Sequence, residues 1–232
     1  MSLALALRGY EGLVLAADSR ATKPTGASED TSEKFLQINR DTGVLTFGLK
    51  DPGYIGIAKL VEASKAQHFE TFEVTKSRAQ TIFQQEYQAW LPTGGIPQGT
   101  VLPPGSLCFI IGGYDAVHSN QFRVVFYTSP DFVPQDIQGP TLLGARWNIA
   151  QSVVDFFFYP EMAVGQLARI AVLALTETMA IDLLVGGPIQ LATITWSQGF
   201  HKFSEDEILA LIKGNQALIG GFCDELNSLF ME

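Results

Sequence analysis

Charged residues are scarce in this 232-residue sequence, where Asp, Glu, Lys and Arg together make up 17%. Soluble domains contain about 25% charged residues, so we expect part of the surface to lie against other subunits rather than water. Basic residues are the scarcer sign, with 15 Lys and Arg against 24 Asp and Glu, for a formal net charge of -9. Binding to a phosphate backbone requires a basic face, so nucleic acid is excluded as an expected partner.

Cysteine and histidine are also rare. The two cysteines, Cys108 and Cys223, lie far apart in apolar stretches, which excludes a disulfide framework and a zinc-finger pattern. The three histidines, His68, His118 and His201, have no acidic or cysteine partner at ligand spacing. We therefore expect a reducing, cytoplasmic location, no bound metal and no cofactor.

Long apolar runs are missing as well. The N-terminal "MSLALAL" is too short for a signal sequence and has no basic residue before it. No apolar run approaches the roughly 18 residues that a membrane span needs, so no membrane association is expected. With 47% hydrophobic residues, the chain can bury a sizeable core, and we predict a single domain over residues 1–232.

Hydrophobic patterns and turn residues predict four strands, two helices, three strands, two helices, a strand and a helix. The strands are predicted near 3–7, 13–17, 34–38, 44–49, 106–115, 122–130, 132–136 and 189–196. The helices are predicted over 52–70, 76–91, 145–158 and 161–180, with Asp51 capping the first, and from Ser204 onward with Glu207 completing a capping box. This order does not alternate between strand and helix. It therefore favours an α+β fold in which two antiparallel sheets stack between helical layers.

Candidate chemistry begins with the stretch "LVLAADSRAT", in which an apolar strand ends abruptly in Asp18, Ser19 and Arg20. The preceding strand begins next to Ser2. A hairpin with a short turn returns the start of the chain to the position beside Asp18 and Arg20. The pattern therefore predicts that a hydroxyl group, the amino terminus and a carboxylate converge.

These groups suffice for a nucleophile if Met1 is removed and Ser2 becomes the first residue. A serine hydroxyl attacks once a base takes its proton, and a free α-amine with a pKa of about 7.7–8.0 is a suitable base. Lys34 opens the next apolar strand. Its positive charge would lower the pKa of the amine, and Asp18 would keep Lys34 charged.

The segment "GLVLAADSRAT", with the lysine that opens "KFLQI", is similar to the proteasome β-subunits and their bacterial relatives, which are N-terminal nucleophile hydrolases. The segments "GGYD", "LTETMAIDLLVGG" and "ATITWSQGF" resemble further motifs of that family, so the resemblance covers essentially the whole chain. The segment "VGGPI" and the length of the chain are also similar to those of the bacterial Anbu proteins. The resemblance implies a four-layer αββα sandwich, assembly of several copies into a ring or helical homo-oligomer, and cleavage of peptide or unfolded-protein substrates.

The resemblance also implies roles for individual residues. Ser2 is implied as nucleophile and base, with Asp18 and Lys34 as its electrostatic partners. Glycine at position 48 would let a substrate carbonyl approach the Gly48 amide, which is implied as the oxyanion donor. Four further positions match the family pattern: the main chains of Thr22 and Lys50, which would pair with an extended peptide, the acid Asp182, and Arg20, which is implied as structural.

Two departures from the family pattern bear on activity. "GARWNIA" stands where the family commonly has Gly-Ser-Gly-Ser, so Ala145 or Arg146 replaces a serine that orders the proton network, and Val185 replaces another serine. Three functions therefore stay open: a peptidase that uses Ser2, a catalytically inactive scaffold or regulatory subunit, and an amidohydrolase or transpeptidase that acts on a non-protein amide. The sequence does not specify an ATPase or other regulator.

Overall fold

The structure is a computed structural model that describes residues 2–22, 28–30, 32–94 and 102–230, with the backbone alone at 22, 28 and 221–230. The predicted removal of Met1 therefore lies outside the described residues. So do residues 23–27, 31, 95–101 and 231–232.

The described chain contains twelve strands and five helices. The strands are β1 (Leu3–Arg8), β2 (Gly12–Ala17), β3 (Ala21–Thr22), β4 (Ser28–Glu29), β5 (Phe35–Asn39), β6 (Thr42–Gly48), β7 (Leu107–Asp115), β8 (Gln121–Thr128), β9 (Gln135–Ile137), β10 (Thr141–Gly144), β11 (Gln190–Thr195) and β12 (Gly199–Lys202). The helices are α1 (Lys50–Gln67), α2 (Phe72–Trp90), α3 (Trp147–Phe157), α4 (Val164–Ile181) and α5 (Glu205–Phe230).

The predicted long elements are all present, and the missed elements are short strands. β3 and β4 are a two-residue pair, while β10 and β12 have four residues each. β10 is an edge strand beside β1, and β12 is an edge strand beside β11. Strands this short carry too little alternation to be recognised without their partners.

One predicted helix cap is wrong and another is confirmed. α1 begins at Lys50 after Leu49, so Asp51 lies inside the first turn, where its charge still favours the helix dipole. Leu49 keeps an extended backbone, with its amide donating to the Ser106 carbonyl at 3.0 Å, and its carbonyl accepts from the Gly53 amide at 3.2 Å, so the helix begins at Lys50. At α5 the predicted capping box is present, with Ser204 N donating to Glu207 Oε2 at 2.7 Å.

Two antiparallel five-stranded sheets form the centre of the fold. The first sheet has the order β10-β1-β2-β11-β12, and the second has the order β5-β6-β7-β8-β9. The hairpin of β1 and β2 pairs Ala4 with Ala17 and Arg8 with Leu13. This register places the beginning of the chain directly beside the end of β2.

The alternating sequence "LALAL" determines which face of β1 packs where. Leu3, Leu5 and Leu7 lie in a core shared with α3, α4 and α5, and each fully buried leucine contributes about 1.5–3 kcal/mol. Ala4 and Ala6 lie on the other face, in a core between the two sheets that also contains large side chains of the second sheet, such as Phe35. Small residues on one sheet therefore accommodate large residues on the other.

The outer face of the second sheet packs against α1 and α2. Phe83 of α2 stacks on Phe109 of β7, with ring centroids 3.7 Å apart. With the helices of the first sheet, this gives four layers in the order α, β, β, α. The predicted α+β sandwich is confirmed.

Helix α4 is more continuously apolar than the sequence analysis suggested. Among the described residues it is the one helix that is long and apolar enough, by length and composition alone, to cross a membrane. Its buried residues, among them Leu167, Ala171 and Leu175, belong to the core against the first sheet. The apolar length of α4 is accounted for by this packing.

Candidate active site

Ser2 lies at the start of β1 and is 7% exposed. The Ser2 hydroxyl donates to the carbonyl of Arg20 over 3.2 Å, and the Ser2 carbonyl accepts from the amide of Ala145 over 2.8 Å. Both bonds follow from the central position of β1 between β2 and β10. The serine is therefore held at both its side chain and its main chain.

Asp18 is fully buried at the end of β2 and accepts three hydrogen bonds. The donors are Leu3 N at 3.0 Å, Lys34 Nζ at 2.5 Å and Gly186 N at 3.0 Å. A buried carboxylate is tolerated when it is paired and its lone pairs are satisfied, which is the case here. The carboxylate that follows the apolar run "LVLAA" is thus hydrogen-bonded to the amide of Leu3, the residue next to Ser2.

Lys34 joins the carboxylate to the serine. Its Nζ donates to Asp18 and also, over 2.9 Å, to the Arg20 carbonyl that accepts the Ser2 hydroxyl. Burial lowers the pKa of Lys34, and the charge of Asp18 opposes that shift. The structure thus brings Ser2, Asp18 and Lys34 together: Lys34 contacts Asp18 directly and shares the Arg20 carbonyl with the Ser2 hydroxyl.

The Arg20 side chain braces the segment that carries this carbonyl. Its guanidinium donates to both carboxylate oxygens of Asp30, at 2.7 and 2.8 Å, and to the Leu183 carbonyl at 2.6 Å. A Cβ at Gly186 would lie 2.5 Å from the Arg20 guanidinium carbon, so a side chain there would displace the guanidinium. Arg20 thus ties β3 to the segment that follows α4.

A cavity of about 300 Å³ opens beside Ser2. Its walls include the following residues: Ser2, Ala21, Glu29, Ser32, Lys34, Thr46, Gly48, Lys50 and Tyr54. Gly48 has φ +102°, and a Cβ there would lie 2.2 Å from the Ser106 carbonyl oxygen, so the position requires glycine. The cavity therefore brings Gly48 to the same space as the serine and the lysine.

The two residues implied in peptide pairing flank the cavity in different ways. Lys50 begins α1, and its Nζ pairs with Glu29 at 2.6 Å across the cavity rim. Thr22 ends β3, where its backbone pairs with Ser28. Main-chain pairing of a peptide with Thr22 and Lys50 stays a prediction.

Asp182 lies at the C-terminal end of α4 and pairs with Arg146. Arg146 Nε donates to Asp182 Oδ2 at 2.8 Å, and the Leu184 amide donates to Asp182 Oδ1 at 2.7 Å. These hydrogen bonds, that from Leu184 first and that from Arg146 next, lower the pKa of Asp182. The acid is therefore ion-paired to one of the two residues that stand in place of the family's serine.

Four contacts of the site were missed by sequence reasoning. They are made by the Ala145 amide on Ser2, the Gly186 amide on Asp18, the Asp30 carboxylate on Arg20, and the Gln190 side chain, which accepts from Lys34 N at 2.9 Å. Of these, Ala145 and Gly186 lie in segments that the sequence analysis singled out, "GARWNIA" and the Gly-Gly pair after Asp182. Val185, where the family has a serine, is buried in the core and supplies no hydroxyl.

Metal ligands are not assembled in the part of the chain that the structure describes. No group of three or more His, Cys, Asp or Glu side chains there could hold a metal ion. The reaction chemistry available at the cavity is that of a hydroxyl, an ammonium group, a carboxylate and backbone amides.

Comparison with known proteins shows which proteins this chain is similar to. No protein-family model matches the chain. The β-subunit of the Picrophilus torridus proteasome is 22% identical over 201 residues, which cover 87% of this chain and 89% of that protein. Proteasome subunit alpha type-4 of Dictyostelium discoideum is 23% identical over 210 residues, covering 88% and 80%. The chain is thus related to proteasome subunits.

Solved structures similar to the chain include Anbu proteins. Anbu (ancestral beta-subunit) from Yersinia bercovieri matches with a TM-score of 0.75 and 13% identity, covering 99% of this chain and 97% of that one. An Anbu (Gly-1) mutant from Hyphomicrobium sp. strain MC1 matches with a TM-score of 0.74 and 17% identity, covering 100% and 97%. The chain has the same fold as these Anbu proteins, and the resemblance to the proteasome-like proteins stated from the sequence is confirmed.

Proposed function

We propose that the protein is a proteasome-related hydrolase that cleaves peptide bonds with Ser2 after removal of Met1. One observation carries the proposal: the Ser2 hydroxyl and the Lys34 ammonium group donate to the same Arg20 carbonyl beside a cavity that Gly48 also lines. A buried serine held next to a buried, paired lysine is a costly arrangement for a protein that only needs to fold. Its location at a cavity of peptide side-chain size supports a role in acyl transfer.

The proposed reaction uses groups of the chain alone. The free α-amine of Ser2 takes the proton of its own hydroxyl, and the oxygen attacks the carbonyl carbon of the peptide bond. The Gly48 amide donates to the oxyanion, and the ammonium group returns the proton to the leaving amine, which departs. Water then attacks the resulting ester, with the α-amine again acting as base, and releases the acid.

Lys34 contributes electrostatically in this proposal. Its positive charge favours the neutral form of the α-amine, which is the form that acts as a base. Asp18 keeps Lys34 charged despite the lowering of its pKa by burial. Ser2, Lys34 and Asp18 therefore act as one unit, and we expect the loss of any one of them to impair the reaction.

The test is intact-mass measurement with and without a peptide epoxyketone or vinyl sulfone. We expect a chain that lacks Met1 and gains one probe mass, and a Ser2→Ala variant that gains none. Ser77→Ala, at an exposed serine on α2, is the matched control and should react like the wild type. A processed wild-type chain that gains no probe mass would contradict the hydrolase proposal.

A second candidate function is an inactive scaffold or regulatory subunit. It is favoured by the loss of the family's two serines. One position is taken by Ala145 or by Arg146, which pairs with Asp182, and the other by the buried Val185. The same measurement separates the two candidates, because a scaffold predicts retained Met1 and no adduct in either wild type or Ser2→Ala.

Self-association is the second part of the proposal. An apolar groove of about 530 Å³ between α3, α4 and α5 is lined by Phe156, which is 81% exposed, and by Leu218, which is 63% exposed. The low charged fraction of the chain and its relation to proteins named as subunits point to a second copy of the chain as the occupant.

Light scattering of the purified protein tests this assembly. We expect a mass that is a multiple of 25.3 kDa, and a smaller mass for Phe156→Glu, because a carboxylate in an apolar interface costs desolvation energy. Val117→Glu, at a 66% exposed site on the β7–β8 connection, is the control and should assemble normally. A wild-type mass of one chain would overturn the assembly.

A further inference from the structure

A chain of contacts runs from the end of α4 to the main chain of Ser2. Arg146 pairs with Asp182 through an Nε to Oδ2 distance of 2.8 Å. The next residue towards the N-terminus, Ala145, donates its amide to the Ser2 carbonyl, also over 2.8 Å. The ion pair and the serine are thus separated by one peptide unit.

Asp182, the residue that pairs with Arg146, is itself held by two hydrogen bonds. The Asp182 amide donates to the Thr178 carbonyl at 2.9 Å, which continues α4, and its Oδ1 accepts from Leu184 at 2.7 Å. The carboxylate is therefore fixed by the helix and by the segment after it. The Arg146 side chain links this carboxylate to the loop.

The loop itself has an unusual backbone. Arg146 has φ +55°, in the left-handed region that non-glycine residues rarely adopt, and Gly144 has φ +114°. At Gly144 the backbone approaches Ser2 so closely that a Cβ would lie 1.9 Å from the Ser2 carbonyl oxygen. A loop with such dihedral angles needs an external contact to select this conformation.

We propose that Arg146 is a positioning residue that holds Ser2 in place by fixing the Gly144–Arg146 loop to Asp182. Arg146 is not among the residues that line the cavity, so it acts through the Ala145 amide and not on a substrate. The contact on Ser2 is structural, and its consequence for catalysis rests on the proposed function. Because the Arg146 side chain is 63% exposed, the pair contributes little to global stability, and the effect is local to the loop.

Hydrogen exchange of the Ala145 amide tests the positioning without any activity. Arg146→Gln keeps a non-glycine residue in the left-handed conformation and removes the ion pair, and Asp182→Asn keeps the acceptor for Leu184. We expect each to speed Ala145 exchange about tenfold, and the double variant to exchange within twofold of either single variant. Arg78→Gln, at an exposed arginine on α2, should exchange like the wild type. Unchanged Ala145 exchange in Arg146→Gln would overturn the proposal.

A second readout links the positioning to the reaction. With the electrophilic probe, the maximal rate of Ser2 modification is expected to fall about tenfold in Arg146→Gln while the probe concentration at half-maximal rate stays within twofold. Arg146→Lys, which keeps a cation, should recover both exchange and rate to within threefold. A tenfold rise in the probe concentration at half-maximal rate would contradict action through the loop. A wild type that takes no probe overturns the hydrolase proposal, and the Ala145 exchange rates then decide by themselves whether Arg146 positions Ser2.

Discussion

Asp18→Asn is expected to lower the free energy of unfolding by about 3–5 kcal/mol, the cost of leaving a buried charge without its partner. The carboxylate is fully buried and accepts from Lys34 at 2.5 Å and from two backbone amides. An asparagine can keep a carbonyl oxygen towards one of these amides but removes the negative charge that Lys34 requires. Urea denaturation monitored by circular dichroism measures the loss.

Two further variants make this prediction specific. Asp18→Asn combined with Lys34→Met removes both charges, and it should recover at least half of the loss, because an apolar replacement of a buried ion pair is often nearly neutral. Glu62→Gln breaks the exposed pair with Lys59 on α1 and should cost less than about 1 kcal/mol. If the double variant is as unstable as the sum of the two single variants, Asp18 and Lys34 do not act as a pair.

Gly48→Ala is expected to destabilise the fold by about 2–5 kcal/mol and to abolish modification of Ser2. The positive φ of Gly48 costs an alanine about 1–2 kcal/mol. The new Cβ would also lie 2.2 Å from the Ser106 carbonyl oxygen, an overpacking that costs about 1–3 kcal/mol more. The two strands β6 and β7 would have to separate at the cavity wall.

Gly105→Ala is the matched control for this prediction. Gly105 also has a positive φ, of +80°, but a Cβ there would meet no atom closer than 3.6 Å. Its cost should therefore be the conformational cost alone, about 1–2 kcal/mol. Equal losses for the two variants, measured by urea denaturation, would show that the contact with Ser106 is not a constraint.

The central part of the site follows from local sequence features. An apolar hairpin with a short turn necessarily returns Ser2 to the end of β2, so the meeting of Ser2 and Asp18 is predictable from turn length and strand register. Lys34 precedes β5, a strand of the other sheet, so its contact with Asp18 depends on how the two sheets stack. The role of Gly48 came from the resemblance to the proteasome family.

The pairing of Asp182 was not predictable in the same way. In the sequence, Ala145 or Arg146 stands at the position of a missing serine, and Asp182, 36 residues after Arg146, matches a family acid. That Arg146 pairs with Asp182 depends on how α3 and α4 pack over the first sheet. A pattern within a window of ten or twenty residues contains no information about that packing.

The sequence by itself determined the strand and helix order, the four-layer class and the hairpin that joins Ser2 to Asp18, because side-chain periodicity and turn geometry are local properties of the backbone. The tertiary structure alone decided the edge strands β10 and β12, the shared Arg20 carbonyl and the Arg146–Asp182 pair. These features are formed by residues far apart in the chain, and their positions are set by close packing of whole elements against one another.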